Sequence, residues 1–197
     1  KSILKLFMSE MEGMQGSMRR LNHERSDQFL FLDFAVDEGL VKKEGHDYFF
    51  AHDEIQNAAY SLIPEFERGL LHKRIGNLIF DHTPDDRVDD VLFLVADQLN
   101  RGSEFIKEEK ERMELAMLNL RAGEKAMSLA TFLISASYLK AGIGLLRKDH
   151  WEKYYCLSLE LYSLYAEAEY CNGNFQEVGH ATGVVIKKAK SFEDKNR

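Results

Sequence analysis

Residues 48 to 60 hold the chain's best candidate for chemistry: the aromatic run Tyr48-Phe49-Phe50 ends, after Ala51, in the pair His52-Asp53 at the mouth of an amphipathic helix. Ile55, Ala58, Ala59, Leu62 and Ile63 recur at the 3.6-residue spacing of a helix that lays one apolar stripe on a core. Asp53 fits the N-cap, and Gln56 three residues later would complete a capping box. His52 then stands at the positive end of the helix dipole, where unpaired backbone N–H groups favour a phosphate or carboxylate. Two readings follow, an imidazole that senses an anion and a polar boundary residue beside a cap.

Other chemistry-bearing residues do not assemble into a motif. His46, His52 and Asp53 fall on a turn and a helix start, His72 and His82 are expected on or beyond a surface helix, and no His-Glu-x-x-His occurs, so the spacing offers no metal site. Ser61, Ser128 and Ser163 lack the glycine-flanked strand-to-helix turn of a serine nucleophile, and neither Cys156 nor Cys171 has an activating histidine in sequence. The run Gly142 to Lys148 has glycines and a lysine at the wrong spacing for a phosphate loop and lies on a helical pattern. One histidine cannot hold a nucleotide, since micromolar binding takes about 8 kcal/mol and a helix-end charge supplies about 0.3 to 2 kcal/mol. The reading therefore assigns no catalytic residue, no metal ligand and no kinase activity to this stretch. Its candidate binding residues are His52, as phosphate sensor, and Asp53, as the cap beside it.

The elements that must position them follow from pattern. After a polar break at Asn22 to Arg25, Ser26 or Asp27 can cap a helix through Phe29, Leu32, Ala35 and Val36 that stops at Gly39. Leu40 to Lys43 and Tyr48 to Phe50 flank Glu44-Gly45-His46-Asp47 as a short hairpin, the one strand signal in the chain. Helix, hairpin and helix in that order make a winged-helix-like unit over residues 1–63. Pro64 suits the first position of the next helix, with Phe66, Leu70, Leu71, Ile75, Leu78 and Ile79 along one side; Val88, Val91, Leu92, Val95 and Leu99 mark another, ending at Gly102. These form connecting helices over 64–102.

From 103 to 197 the pattern is helical hairpins. The charged run Lys107 to Arg112 is expected to be a solvated face at the start of a helix through about Met127. Helices from Ala130 to Leu146, from Trp151 to Cys171, and one opening at Asn174 with Glu177 as a capping box complete the series. Phe132 and Phe175 start equivalent helices 43 residues apart, and Ser135, Gly142, Gly179 and Ala189 are small where helices would pack closely, a weak internal repeat. Two repeats are fewer than such an array needs, so it either continues past Arg197 or leans on the preceding helices. The expected fold class is mainly α, a winged-helix-like unit with a small hairpin followed by a helical array.

Composition limits function. The 197 residues are 45% apolar and 30% charged with a formal charge of −7, which argues against binding nucleic acid through general phosphate attraction. Lys42-Lys43 and Lys187-Lys188 are pairs, and the candidate recognition helix, Asp27 to Glu38, is acidic. The two cysteines lack CxxC spacing and read as reduced thiols. No apolar run approaches a membrane span and no signal-peptide layout opens the chain, so the expected location is cytoplasmic. Ile3, Leu4, Phe7, Met8, Met11 and Met14 already follow a helical period behind Lys1, which suggests part of a longer polypeptide.

Tyr48 to Ile63, followed by Pro64-Glu65, resembles the end of the ATPase module in STAND-class signalling ATPases, where a winged helix precedes a helical arm. Asn100-Arg101-Gly102, Glu111 to Ala116, Leu118 to Gly123 and Tyr138 to Gly142 are similar to the helical region of large ATPase-containing hybrid histidine kinases and related serine/threonine kinases. His52-Asp53 match the last two positions of a Met-His-Asp motif whose histidine contacts the terminal phosphate of bound ADP, with Ala51 in place of the methionine. Ala166, Tyr170, Gly173, Asn174 and Phe175 resemble a tetratricopeptide unit, with Val178 where the consensus has alanine, so the 103–197 array is read as tetratricopeptide-like. The resemblance implies a non-catalytic regulatory region that closes over an upstream nucleotide site and relays its state. ATP or ADP with magnesium is then expected in an upstream ATPase domain, and the parent protein is expected to be an ATPase and a histidine or serine/threonine kinase. Implied partners are that upstream domain, a downstream output domain, and a protein or peptide on the repeats; neither nucleic acid nor a membrane is expected. The alternative is an autonomous protein-interaction scaffold with no nucleotide role.

Overall fold

Glycines at positive φ shape the first unit of the computed structural model, which describes residues 32–45 and 47–196. Residues 32–37 are helical, and Gly39, at φ +70, stops them: its N–H donates to Val36 O at 3.0 Å and the Leu40 N–H to Ala35 O at 2.9 Å. This is the paired bonding of a left-handed helix stop. Strands β1 (Val41–Glu44) and β2 (Asp47–Phe50) then pair antiparallel, Val41 opposite Phe50 and Glu44 opposite Asp47, around Gly45 at φ +61. Val41, Tyr48 and Leu32 bury together, flanked by Phe50, Ala35 and Val36, while Phe49 on the opposite strand face is exposed, the period of two that a one-sided sheet requires. The expected opening helix (Ile3 to Met14), the break at Asn22 to Arg25, the cap at Ser26 or Asp27, Phe29 and His46 lie outside the described residues.

Eight helices follow among the described residues: α1 (Asp53–Ser61), α2 (Glu65–Asp81), α3 (Val88–Arg101), α4 (Glu109–Ser128), α5 (Phe132–Leu145), α6 (His150–Lys153), α7 (Tyr155–Cys171) and α8 (Phe175–Lys188). The architecture is mainly α, a two-stranded antiparallel sheet and then a helical array. Hairpins α2/α3, α4/α5 and α7/α8 stack in sequence, α3 against α4 and α5 against α7. The later repeats thus lean on the preceding helices. One core joins Leu71, Ile75, Leu92, Val95 and Leu99 to Leu115, Leu118 and Ala122; a second joins Leu120 and Leu139 to Leu161, Tyr165 and Ala181. Each fully buried leucine here contributes about 1.5–3 kcal/mol relative to exposure.

The 43-residue repeat is real in backbone geometry. The α4/α5 turn bends at Ala130 (φ 54) and the α7/α8 turn at Gly173 (φ +75). Thr131 N–H bonds Ala126 O and Asn174 N–H bonds Glu169 O, each at 2.9 Å, so the two turns close identically. Four expectations are corrected. Trp151 to Cys171 is two helices, because Tyr154 (φ −128, ψ 48) leaves the helical region and lets Trp151 turn into a cluster with Leu159 and Val185. Asn174 makes no side-chain cap bond; Glu177 instead accepts the Tyr165 hydroxyl at 2.9 Å and lies 4.0 Å from Lys140 Nζ. Gly142 does admit a close approach, since a Cβ there would lie 2.8 Å from Leu161 Cδ2, but a Cβ on Gly179 would meet open space. Pro64 precedes α2 and Phe66 is exposed, so neither sits as the pattern suggested.

Candidate functional site

The site residue His52 sits where the sheet hands the chain to a helix. Ala51 N–H still bonds Leu40 O at 3.0 Å, extending the ladder, and His52 keeps extended dihedrals (φ −146, ψ 152). Its carbonyl accepts the N–H groups of Ile55 (3.1 Å) and Gln56 (3.3 Å), so His52 is the N-cap and Asp53 the first helical residue. The expected capping box between Asp53 and Gln56 does not form. A side-chain cap must come from the residue that is still extended, and the strand geometry carries that state one residue further than the pattern implied.

The imidazole of His52 is exposed and makes no side-chain cap bond. Asp53 and Glu54, both exposed, place two carboxylates in the first turn, where they favour the helix dipole. Chemically the junction offers one imidazole donor beside two negative charges. It can contact an anion that other groups hold and neutralise; it cannot gather one by field alone. Among the described residues no group of three or more His, Cys, Asp or Glu could hold a metal ion. Cys156 and Cys171 are free and exposed.

The stripe of α1 is less buried than its period suggested. No residue of α1 is buried and Leu62 is 84% exposed; Ile63, just past the helix, joins the core of α2 to α4, and the partly buried Tyr60 packs against it. Polar contacts add to this attachment. Tyr60 OH lies 2.9 Å from His72 Nε2, and His72 Nδ1 lies 2.7 Å from Gln98 Oε1. Because an amide oxygen only accepts, Nδ1–H donates to Gln98 and leaves Nε2 to accept the Tyr60 hydroxyl. Arg68 closes the same corner: Nε donates to Ile63 O at 2.9 Å, Nη2 to Ser61 O at 3.3 Å, and the guanidinium lies 4.9 Å from the Tyr60 ring centre. The end of α1 is thereby tied to α2 and, through Gln98, to α3.

His72 was expected on a surface helix and is buried instead. The signal was present: it falls three residues before Ile75 and seven before Ile79, on the stripe that faces the core. Arg112 corrects a second expectation, since it is 8% exposed inside a charged run read as solvated. Its Nη1 donates to Lys107 O at 3.0 Å, while Nε and Nη2 are buried without a partner. Spacing hides this, because neighbouring Glu109 and Glu111 pair outward with Lys153, Tyr154 and Lys73. Deeper in the array, burial and then the adjoining Asp97 carboxylate push the Tyr138 hydroxyl well above the ordinary phenol range. Burial and then the charge of Lys188 hold His150 below the ordinary histidine value.

No helix among the described residues is long and apolar enough to cross a membrane. No family model matches the chain. No solved structure matches it. Among curated proteins it is similar to the hybrid signal transduction histidine kinase G of Dictyostelium discoideum, 26% identical over 170 residues; the similarity covers 74% of this chain and spans 5% of that relative's length.

Proposed function

We propose that this chain is a non-catalytic regulatory region of a multidomain signalling protein of the STAND ATPase type with kinase output, in which a winged-helix-like unit (1–63) closes over an upstream nucleotide site and the connecting helices (64–102) and tetratricopeptide-like hairpins (103–197) relay its state. The observation that carries the reading is the lever formed by α1. Its N-cap, His52, is exposed at one end, and its other end is pinned to α2 and α3 through Tyr60, His72 and Gln98. A contact that shifts His52 is therefore felt by the array, because nine residues of helix move as a unit. The name of the Dictyostelium relative supports the signalling context.

In this reading His52 donates to the terminal phosphate of ADP, with Asp53 beside it as the residue that opens α1. The phosphate cradle, the magnesium ligands and the base pocket would come from upstream polypeptide. The test uses the complete polypeptide that carries this chain. His52→Ala lowers the amount of co-purified nucleotide and changes signalling output; Gln98→Leu, which cuts the link at its far end, changes output while nucleotide retention stays at the wild-type level. Unchanged retention and output in His52→Ala would refute the sensor.

A second reading, an autonomous protein-interaction scaffold, is favoured by one observation: α5 is apolar on nearly every side yet partly open to solvent. Under it, His52→Ala is silent in both measurements.

A further inference from the structure

Helix α5 carries a single charge, Lys140, in fourteen residues. A helix apolar all round belongs in an interior. Yet Leu133 is 76% and Ile134 50% exposed. They border a cleft of about 540 Å³ whose opposite wall is Asp97, Asn100 and Arg101 of α3, with Tyr138 between. That volume falls in the range of about 300–1,000 Å³ typical of ligand sites. α3 and α5 are the second helices of successive hairpins, so the cleft follows from how the hairpins stack.

The polar groups of the cleft are unequally occupied. Asp97 Oδ1 accepts the Tyr138 hydroxyl at 2.8 Å. The amides of Asn100 and Asn119 exchange two bonds of 2.8 Å. Arg101 is exposed, and its side chain has no ion pair or hydrogen bond among the described residues. Its planar fork of donors matches a carboxylate.

We propose that the α3/α5 cleft is a docking site for an acidic peptide segment, one that seats an apolar side chain on Leu133 and Ile134 and presents a carboxylate to Arg101. The second oxygen of Asp97 and the hydroxyl of Ser137, on the same walls, are placed to bond the peptide main chain. A purely apolar occupant would leave Arg101 without a partner, and a basic one would face Arg101 while the cleft's only opposite charge, Asp97, already accepts the Tyr138 hydroxyl. The site is separate from His52 and stands whether or not the relay reading holds.

The probe is a random dodecapeptide library displayed on phage and selected on the immobilised 197-residue chain. Selection is expected to enrich peptides with an apolar residue within a few positions of Asp or Glu. A synthetic copy of a selected peptide should bind the wild type and lose about tenfold or more in affinity to Arg101→Glu, where attraction becomes repulsion, and to Leu133→Ser. Lys42→Glu, on the hairpin, leaves its binding unchanged. All three positions are exposed, and circular dichroism verifies that each variant is folded. Enrichment of basic peptides, no enrichment, or equal binding to Arg101→Glu each overturns the proposal. So does a concentration-dependent dimer abolished by Leu133→Ser, which would make a second copy of the chain the occupant.

Discussion

Gly102 tests whether the first hairpin is held by backbone contact. It ends α3 at φ −98, ψ 7, where alanine fits without strain, so a substitution acts through space alone. An added Cβ would lie 2.6 Å from Gly69 O, 2.6 Å from Lys73 N and 2.8 Å from Lys73 Cβ, against about 3.5–4.0 Å for relaxed carbon contacts. Two of these obstacles are main-chain atoms of α2, which cannot rotate away. Relief requires α3 to move off α2 by about 1 Å, near the upper end of the roughly 1–3 kcal/mol cost of overpacking. Loss of glycine's freedom in the unfolded chain returns about 0.4–1 kcal/mol. The net expectation for Gly102→Ala is a loss of about 2 kcal/mol, or a fall in melting temperature of about 4–8 °C for a chain of this size. Gly144→Ala is the matched control, since its Cβ meets nothing within 4 Å on helix α5; it should gain about 0.5–1 kcal/mol. Equilibrium urea unfolding followed by far-UV ellipticity reads both. A Gly102→Ala midpoint at or above wild type would show that the hairpin is not closed by this contact.

Three further outcomes follow from the array. Ala130 holds a left-handed conformation that costs a side-chain residue about 1–2 kcal/mol, so Ala130→Gly should raise the unfolding midpoint while Gly173→Ala, at the equivalent turn, lowers it; equal and unchanged midpoints would contradict the repeat geometry. Asn119 is fully buried and bonds Asn100 twice as well as Leu115 O, so Asn119→Ala should cost about 1–3 kcal/mol, and adding Asn100→Ala should cost less than the sum of the two single losses; strict additivity would mean the pair is not coupled. His150 has a lowered pKa in the fold, through burial first and Lys188 second. The unfolded chain therefore takes up the proton first, so this group's contribution is complete above its ordinary value of 6.5 and is lost as pH falls through the window below it. His150→Phe should flatten the urea midpoint across that window, and an unchanged slope would place the titration elsewhere.

Periodicity alone specified the helices that bury a continuous stripe. Leu71, Ile75 and Ile79 on α2 and Val88, Leu92, Val95 and Leu99 on α3 are buried as spacing requires, and Gly39 and Gly45 mark the stops that only glycine adopts without strain. The hairpin, the order of elements and the 43-residue offset were legible for the same reason, since backbone conformation and one-sided burial leave a local record in residue type. Partners across helices leave none. Whether Glu177 caps its own helix or accepts Tyr165 and whether His72 faces water or bridges Tyr60 and Gln98 depend on what another helix brings within about 3 Å, the reach of a hydrogen bond. The candidate site divides along the same line. Sequence placed His52 at a hairpin-to-helix junction; only tertiary structure decided that it is itself the cap, that it is exposed, and that the far end of its helix is pinned through Tyr60, whose ring packs on the core and whose hydroxyl meets His72, and not by a continuous apolar stripe.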